Sequence, residues 1–196
     1  MSKNLIRRSA LGAVAGATAL VLAACGSGDD TPASPAQHNT ADVAFATGMI
    51  PHHRQAVEMA GLAPSRAGSA EVKKVASEIE KAQAPEIRTL SGWLTSWGER
   101  VPSAGAMNHS THDMNDMNDM NGMMTAADMG SLKSASGEKF DTAFLKMMIE
   151  HHKGAVAMAK TEKAEGAYPG AQKMADSVIT SQSAEISLMT GLLGKS

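Results

Sequence analysis

The chain has 196 residues, of which 43% are hydrophobic and only 3% aromatic, with 15 methionines and one cysteine. This length fits one domain with appendages, and a single cysteine excludes a disulfide framework within the chain. The net charge of −2, without a basic cluster, argues against nucleic acid as a partner.

Residues 1–25 have the pattern of an export leader. Three basic residues between positions 3 and 8 precede a stretch of small and apolar residues, which ends in Leu22-Ala23-Ala24-Cys25. The stretch is short for a membrane span, and the whole pattern resembles a bacterial lipoprotein signal peptide, in which the residue at the position of Cys25 carries the lipid. We therefore expect an extracytoplasmic protein that is lipid-anchored to the bacterial membrane. The alternative is a retained anchor helix.

Residues 26–40 predict a flexible tether, because this stretch is rich in Gly, Ser, Asp and Pro and poor in large apolar side chains. No thiolate remains after Cys25. Any soft metal ligand must therefore come from methionine.

One phrase then occurs twice, at a constant offset of 99 residues. The first copy is Phe45–Ala60 and the second is Phe144–Ala159, and both contain Met-Ile-x-His-His followed by Ala-Val and Met-Ala. The same offset carries Asp42 onto Asp141 without a gap. The repeat predicts two copies of a helical hairpin, residues 41–98 and 138–196, that bury their apolar faces against each other in an all-α, four-helix bundle.

The first hairpin has clear helix boundaries. Its first helix is expected to begin near Asn39, which can cap it, and to end near Gly61 before a turn. Its second helix is expected to begin after Ser69 and to end near Trp97, with a bend at Pro85. In the second hairpin the corresponding helices are expected from about Ser136 to Gly166 and from Pro169 onward.

The histidine pairs lie on the core-facing side of their helices. At 100° per residue, the apolar residues and histidines of the first phrase fall within roughly 120° of one another, which is the width of a buried face. Core histidines with hydrogen-bond partners are one interpretation. Four histidines and four methionines on matching inward faces also fit a bound metal or another specific ligand.

Two carboxylates lie near the centre of the apolar stripes of the second and fourth helices, Glu86 and Glu185. A carboxylate on a buried face must be paired, protonated or bound to a cation. Counting helical rise places Glu185 near the height of His151, whereas a first helix that ends at Gly61 leaves Glu86 roughly 12 Å too far along. A Glu–His pair is therefore expected in the second hairpin and is doubtful in the first.

Residues 99–137 form an insertion of different composition. Asn, Asp and Gly separate its methionines, and these are poor helix formers, so we expect disorder. Thioethers favour Cu(I) and Ag(I), and histidine nitrogens also accept Cu(II). The candidate copper ligands here are Met107, His109, His112, Met114, Met117, Met120, Met123 and Met124. The alternatives are a linker that merely tolerates methionine and a tract that scavenges oxidants.

The sequence around the doubled Met-Ile-x-His-His phrase resembles the bacterial domain-of-unknown-function family 305, and the resemblance covers both repeats, from about Asp42 to Leu193. The resemblance implies a ferritin-like four-helix bundle, commonly exported, with some members that bind copper through methionine and histidine. The positions that this implies as ligands are Met49, His52, His53, Met59, Met148, His151, His152 and Met158. The insertion is not part of the shared pattern.

We therefore predict an extracytoplasmic, non-catalytic lipoprotein that binds Cu(I), and also Cu(II), for sequestration, tolerance or transfer. Copper and the membrane are its expected partners, whereas a donor or acceptor protein is not indicated. One alternative is a di-metal oxidase of ferritin-like type, although the Glu-x-x-His ligand repeat of such sites is absent from these helices. Another is a metal-free bundle that binds a partner protein.

Overall fold

A computed structural model describes residues 37–103 and 122–194. The leader with Cys25, most of the tether and the centre of the insertion lie outside the described residues. In the two described stretches the helices are α1 (Thr40–Ala60), α2 (Ala63–Arg66), α3 (Ala70–Trp97), α4 (Ala126–Ser134), α5 (Gly137–Glu165) and α6 (Pro169–Leu193).

Local sequence explains where the helices begin. The Asn39 side chain accepts hydrogen bonds from the first turn of α1, while Asp42 accepts one from the Asn39 N–H, which completes a capping box. Ser69 caps α3 through the N–H of Val72. Pro169 occupies the first position of α6, where its missing N–H leaves no hydrogen bond unmade.

The four long helices form two hairpins that cross each other. Helix α1 packs on α3, α5 packs on α6, and α1 contacts α5 between the hairpins. The start of α1 meets the end of α5, since the Asn39 side-chain amide donates to the Glu165 carbonyl at 2.7 Å. The all-α four-helix bundle expected from the repeat is confirmed, and so is the ferritin-like fold that the family resemblance implies. Among the helices of the described residues, none is both long and apolar enough to cross a membrane.

The end of the predicted disordered insertion is helical. Helix α4 buries Met129 and Leu132 in the core, and Lys133 forms an ion pair of 2.7 Å with Glu58 of α1. The expectation of disorder was wrong for this stretch. Its sequence after Thr125 lacks the repeated Asn and Asp of the preceding residues, and Thr125 and Asp128 supply a capping box.

Two buried aspartates at equivalent repeat positions tie the hairpins together. Asp141 accepts hydrogen bonds from the N–H groups of Gly68 and Ser69 in the turn of the first hairpin, at 3.0 and 2.8 Å. Asp42 accepts from Ala167 and Tyr168 in the turn of the second, with 2.9 Å to Tyr168. Each hairpin therefore satisfies the backbone of the other's turn, which makes the interface reciprocal.

Glu162 breaks this symmetry, because its counterpart in the first repeat is Ala63. The residue is 1% exposed, and no described group lies in hydrogen-bond geometry within 3.5 Å of its carboxyl oxygens, so the nearby Asp42 carboxyl acts on it over a longer or poorly aligned contact. Burial, followed by the interaction with Asp42, raises the pKa of Glu162 from 4.5 to about 8. Burial acts to raise the pKa of Asp42, but hydrogen bonds from the Asn39 and Tyr168 N–H groups outweigh it, so the pKa lies below its ordinary value of 3.8. At neutral pH the pair holds one charge.

Glu162→Gln is expected to flatten the pH dependence of folding stability. Between pH 4.5 and 8 folded Glu162 keeps a proton that the unfolded chain has released, so its contribution to the free energy of unfolding falls as pH rises. Relative to the wild type, the variant should therefore gain about 1–2 kcal/mol between pH 5 and pH 8, with allowance for local relaxation. Urea unfolding at both pH values measures this, with exposed Glu165→Gln as the control. Parallel curves for wild type and Glu162→Gln would contradict the assignment.

Candidate metal centre

The four histidines of the doubled phrase form a polar layer inside the bundle. His52, His53, His151 and His152 are each at most 1% exposed. The apolar core is divided on either side of them: one cluster contains residues 56–60 of α1 and 140–149 of α5, and the other contains residues 45–50 of α1 and 155–159 of α5. The histidines are therefore placed at the crossing of α1 and α5.

One histidine of each pair is held by a carboxylate of its own hairpin. Nε2 of His53 lies 2.7 Å from Oε2 of Glu86, and Nε2 of His152 lies 2.6 Å from Oε2 of Glu185. The doubt about Glu86 was wrong, because α2 carries the first helical segment beyond Gly61 and α3 then starts only a few residues later. The pair in the second hairpin is also formed by His152, not by His151.

The two carboxylates are only partly buried, which corrects the expectation that they are core carboxylates. The side chains of Glu86 and Glu185 are 21% and 23% exposed, whereas their histidine partners are fully enclosed. One carboxylate oxygen binds the imidazole from the edge of the apolar stripe, while the partial exposure keeps the group in contact with water. Each Glu therefore reaches its histidine without the full desolvation cost of a buried charge.

These pairs fix the orientation and tautomer of the two rings. An ionised carboxylate can only accept, so opposite it Nε2 of His53 and of His152 carries the hydrogen, and Nδ1 of a neutral ring keeps its lone pair. Both Nδ1 atoms are buried and have no hydrogen-bond partner among the described residues. In metal sites, the imidazole that binds the ion commonly donates its other ring N–H to a carboxylate in this way. The geometry thus leaves two oriented nitrogen donors inside the bundle.

The other two histidines meet each other across the hairpin interface. The ring centroids of His52 and His151 are 3.7 Å apart, with an angle of 37° between the ring planes. Among the described residues no group meets hydrogen-bond geometry at either ring nitrogen of His151, although the backbone of His52 lies close enough to act weakly on the ring. Burial first, and then the neighbouring His52, His152 and His53, lower the pKa of His151 well below its ordinary value. His151 is therefore a neutral imidazole with a free lone pair at physiological pH.

Methionine sulfur accompanies the histidines on the same helices. Met49 precedes His52 by one helical turn and Met148 precedes His151 by one turn, and both are fully buried. Met59 is also fully buried, whereas Met158 is partly buried and lies against Gly48. Across residues 37–103 and 122–194, no three His, Cys, Asp or Glu side chains come together as a metal-binding group. The donors present at the layer are imidazole nitrogens with nearby thioethers, the set that suits soft and borderline ions.

The insertion candidates are divided by the described range. Met107, His109, His112, Met114, Met117 and Met120 lie outside the described residues. Met123 and Met124 are described and partly buried, and Met124 packs against the core cluster that contains Met59 and Met148. The end of the insertion therefore contacts the bundle.

Three buried glutamines were not predicted as part of the polar interior. Gln83 and Gln182 occupy equivalent repeat positions, one turn before the two carboxylates, and their Oε1 atoms lack hydrogen-bond partners among the described residues. Both lie on core-facing stripes and are related by the offset of 99 residues, so the sequence indicates their burial, although it assigns them no function. Gln55 is 4% exposed and has no such counterpart, because the second repeat carries Gly154 at that position.

The family described as "Domain of unknown function (DUF305)" matches residues 42–193, which confirms the resemblance drawn from the doubled phrase. No curated protein matches the chain.

Solved structures share both sequence and fold with the chain. A DUF305 protein from Streptomyces coelicolor, provisionally described as secreted, is 34% identical over 79% of this chain and 93% of its own, with a TM-score of 0.69. A DUF305 fragment from Deinococcus radiodurans is 28% identical over 81% of this chain and 98% of its own, with a TM-score of 0.71. CopM in its Cu(II)-bound form is 34% identical over 79% of this chain and 96% of its own, with a TM-score of 0.66. CopM has also been crystallised in Cu(I)-bound and silver-bound forms.

Proposed function

The chain belongs to the DUF305 family, and we propose that it is an extracytoplasmic protein that binds copper to sequester it or to pass it on. The observation that carries the proposal is the pair of buried rings of His52 and His151, 3.7 Å apart, with no described group in hydrogen-bond geometry at either ring nitrogen of His151. A buried imidazole normally has its nitrogens satisfied, so unpartnered donors at the crossing of two repeated helices favour a ligand there.

The chemistry of the donor set favours copper over harder ions. Neutral imidazole nitrogen binds Cu(I) and Cu(II), and thioether sulfur adds preference for Cu(I) and Ag(I) over Mg(II) and Ca(II). The bundle ligands that we propose are Met49, His52, His53, Met59, Met148, His151, His152 and Met158. CopM, a relative with the same fold, is known in copper-bound and silver-bound forms, which supports the choice of metal.

The insertion supplies a second group of sulfur donors in this proposal. Its methionines and two histidines would capture Cu(I), while the bundle holds the ion between oriented rings. The leader pattern at residues 1–25 supports export with a lipid on Cys25, and the Streptomyces relative supports a location outside the cytoplasm.

Anaerobic titration with Cu(I) against a chromophoric chelator tests the proposal. The full chain is expected to bind more than one ion, and a form that lacks residues 104–121 is expected to bind fewer but at least one, because the bundle keeps its own donors. A second form, in which the methionines and histidines of 104–121 become Leu and Asn, separates the loss of ligands from the loss of length. Absence of tight Cu(I) binding in the full chain would overturn the proposal, and iron-dependent dioxygen consumption would favour the oxidase alternative.

Protein purified from cells grown with copper tests whether the chain binds copper in the cell and whether Cys25 is lipid-modified. We expect copper by elemental analysis and a lipid-modified Cys25 by mass spectrometry of the mature N-terminus. Copper-free protein from such cells, or an unmodified N-terminus that retains the leader, would contradict the corresponding part.

A further inference from the structure

A short described segment at the end of the Met-rich insertion is clamped to the bundle beside the histidine layer. The Gln55 side chain donates from Nε2 to the Met124 carbonyl at 2.8 Å and accepts at Oε1 from the Met124 N–H at 2.7 Å. Both polar ends of a nearly fully buried amide are thus used on one residue of the insertion.

The other side of the clamp is a close approach of backbone to backbone. Gly122 has a φ of 67°, and a Cβ at this position would collide with the carbonyl oxygen of Glu150. It also lies next to the N–H of Gly154, so the segment rests on the turn of α5 that carries His151 and His152. Only glycine fits a left-handed conformation at such a short distance.

The two repeats have diverged where this segment crosses. Gln55 and Gly154 are related by the 99-residue offset, yet one supplies two hydrogen bonds and the other supplies no side chain. From Gly122 to Met124 the chain therefore passes from α5 to α1, and Gln55 lies one turn beyond His52 on α1. This segment therefore lies within about one helical turn of the His52–His151 contact along both helices.

The clamp also holds two neighbouring thioethers, those of Met123 and Met124, against the bundle. Met123 and Met124 are both partly buried, and Met124 packs against the cluster that contains Met59 and Met148. We propose that Gln55 is a positioning residue, which holds Met123 and Met124 as the entry step for a soft metal ion between the surface and the histidine layer. This inference rests on the proposed copper function.

Two variants of the full chain displace the segment from opposite sides. Gln55→Leu keeps the approximate volume but removes both hydrogen bonds, whereas Gly122→Ala strains the left-handed turn without changing α1. Gln172→Leu is the matched control, because Gln172 also donates to a backbone carbonyl, at Gly166, beyond the end of α5 far from the layer.

Amide hydrogen exchange and the rate of Cu(I) uptake from a chelator provide the readouts. In both variants the Met124 amide of the apo protein should exchange about tenfold faster or more. Uptake should slow about tenfold because the entry thioethers lose their high local concentration, while the number of bound ions stays the same. Gln172→Leu should change neither quantity.

Unchanged uptake in a variant with faster Met124 exchange would show that the clamp is only structural and would overturn the inference. Unchanged Met124 exchange in Gln55→Leu would overturn it as well, since the clamp itself would be absent. Failure of the copper function is distinguishable, because the wild-type chain would then take up no Cu(I) at all.

Discussion

Replacing both His52 and His151 by leucine is expected to lower the Cu(I) affinity of the bundle site at least about 100-fold, because two of the nitrogens that we propose as copper ligands are lost together. The fold should survive, since both rings lie between apolar clusters and leucine fills a similar space without a polar atom to satisfy. The full chain should still bind ions through the insertion.

Competition titration with chelators of graded affinity measures this effect. His38→Leu is the matched control, because His38 stacks on Trp97 near the start of α1, away from the layer. The double variant should lose its tightest site while His38→Leu keeps it. Equal affinity in all three proteins would show that the paired rings do not bind copper.

Removal of the reciprocal aspartates is expected to destabilise the bundle strongly. Asp141→Ala leaves the N–H groups of Gly68 and Ser69 without their acceptor, which should cost about 2–4 kcal/mol. Asp42→Ala should cost about 3–5 kcal/mol, because it removes the acceptor for Ala167 and Tyr168 and also the capping contact with Asn39. The melting temperature should fall by about 10 °C for each.

Urea unfolding at pH 7 measures these free energies, and thermal unfolding measures the melting temperatures, with Asp176→Ala as the control. Asp176 forms an exposed ion pair with Lys163, so its loss should cost less than about 1 kcal/mol. Because hydrogen bonds lower the pKa of Asp42 in the folded chain, its contribution is present above pH 3.8 and is lost as pH falls through the folded value. Asp42→Ala as stable as Asp176→Ala would contradict the role of the interhairpin bonds.

The repeat made the fold and the histidine layer predictable, because the period of the apolar face and the 99-residue offset can both be read directly from the sequence. The same offset also relates Asp42 to Asp141. Their hydrogen bonds were not predictable, because the partners of each aspartate lie in the other hairpin and are set by how the hairpins pack. Helix α4 was missed because the composition of the preceding Met, Asn and Asp residues was extended across Thr125, where the capping pattern begins.

Other features arise from tertiary packing, which sequence alone does not reveal. Counting helical rise along a first helix that stopped at Gly61 placed Glu86 too far from His53. In the structure α2 continues the helical segment beyond Gly61, and Glu86 therefore reaches His53. Gln55 and Glu162 depend on differences between the repeats, with Gly154 and Ala63 at the matching positions. A repeat pattern draws attention to what is shared, whereas these residues act through what is not.

The most direct test of copper binding by the bundle is a crystal structure of the copper-loaded full chain, with anomalous differences measured at the copper absorption edge. We expect a copper peak at the crossing of α1 and α5, within bonding distance of a nitrogen of His52 or His151. Copper peaks found only at insertion residues, with the four imidazoles metal-free in fully loaded protein, would contradict it.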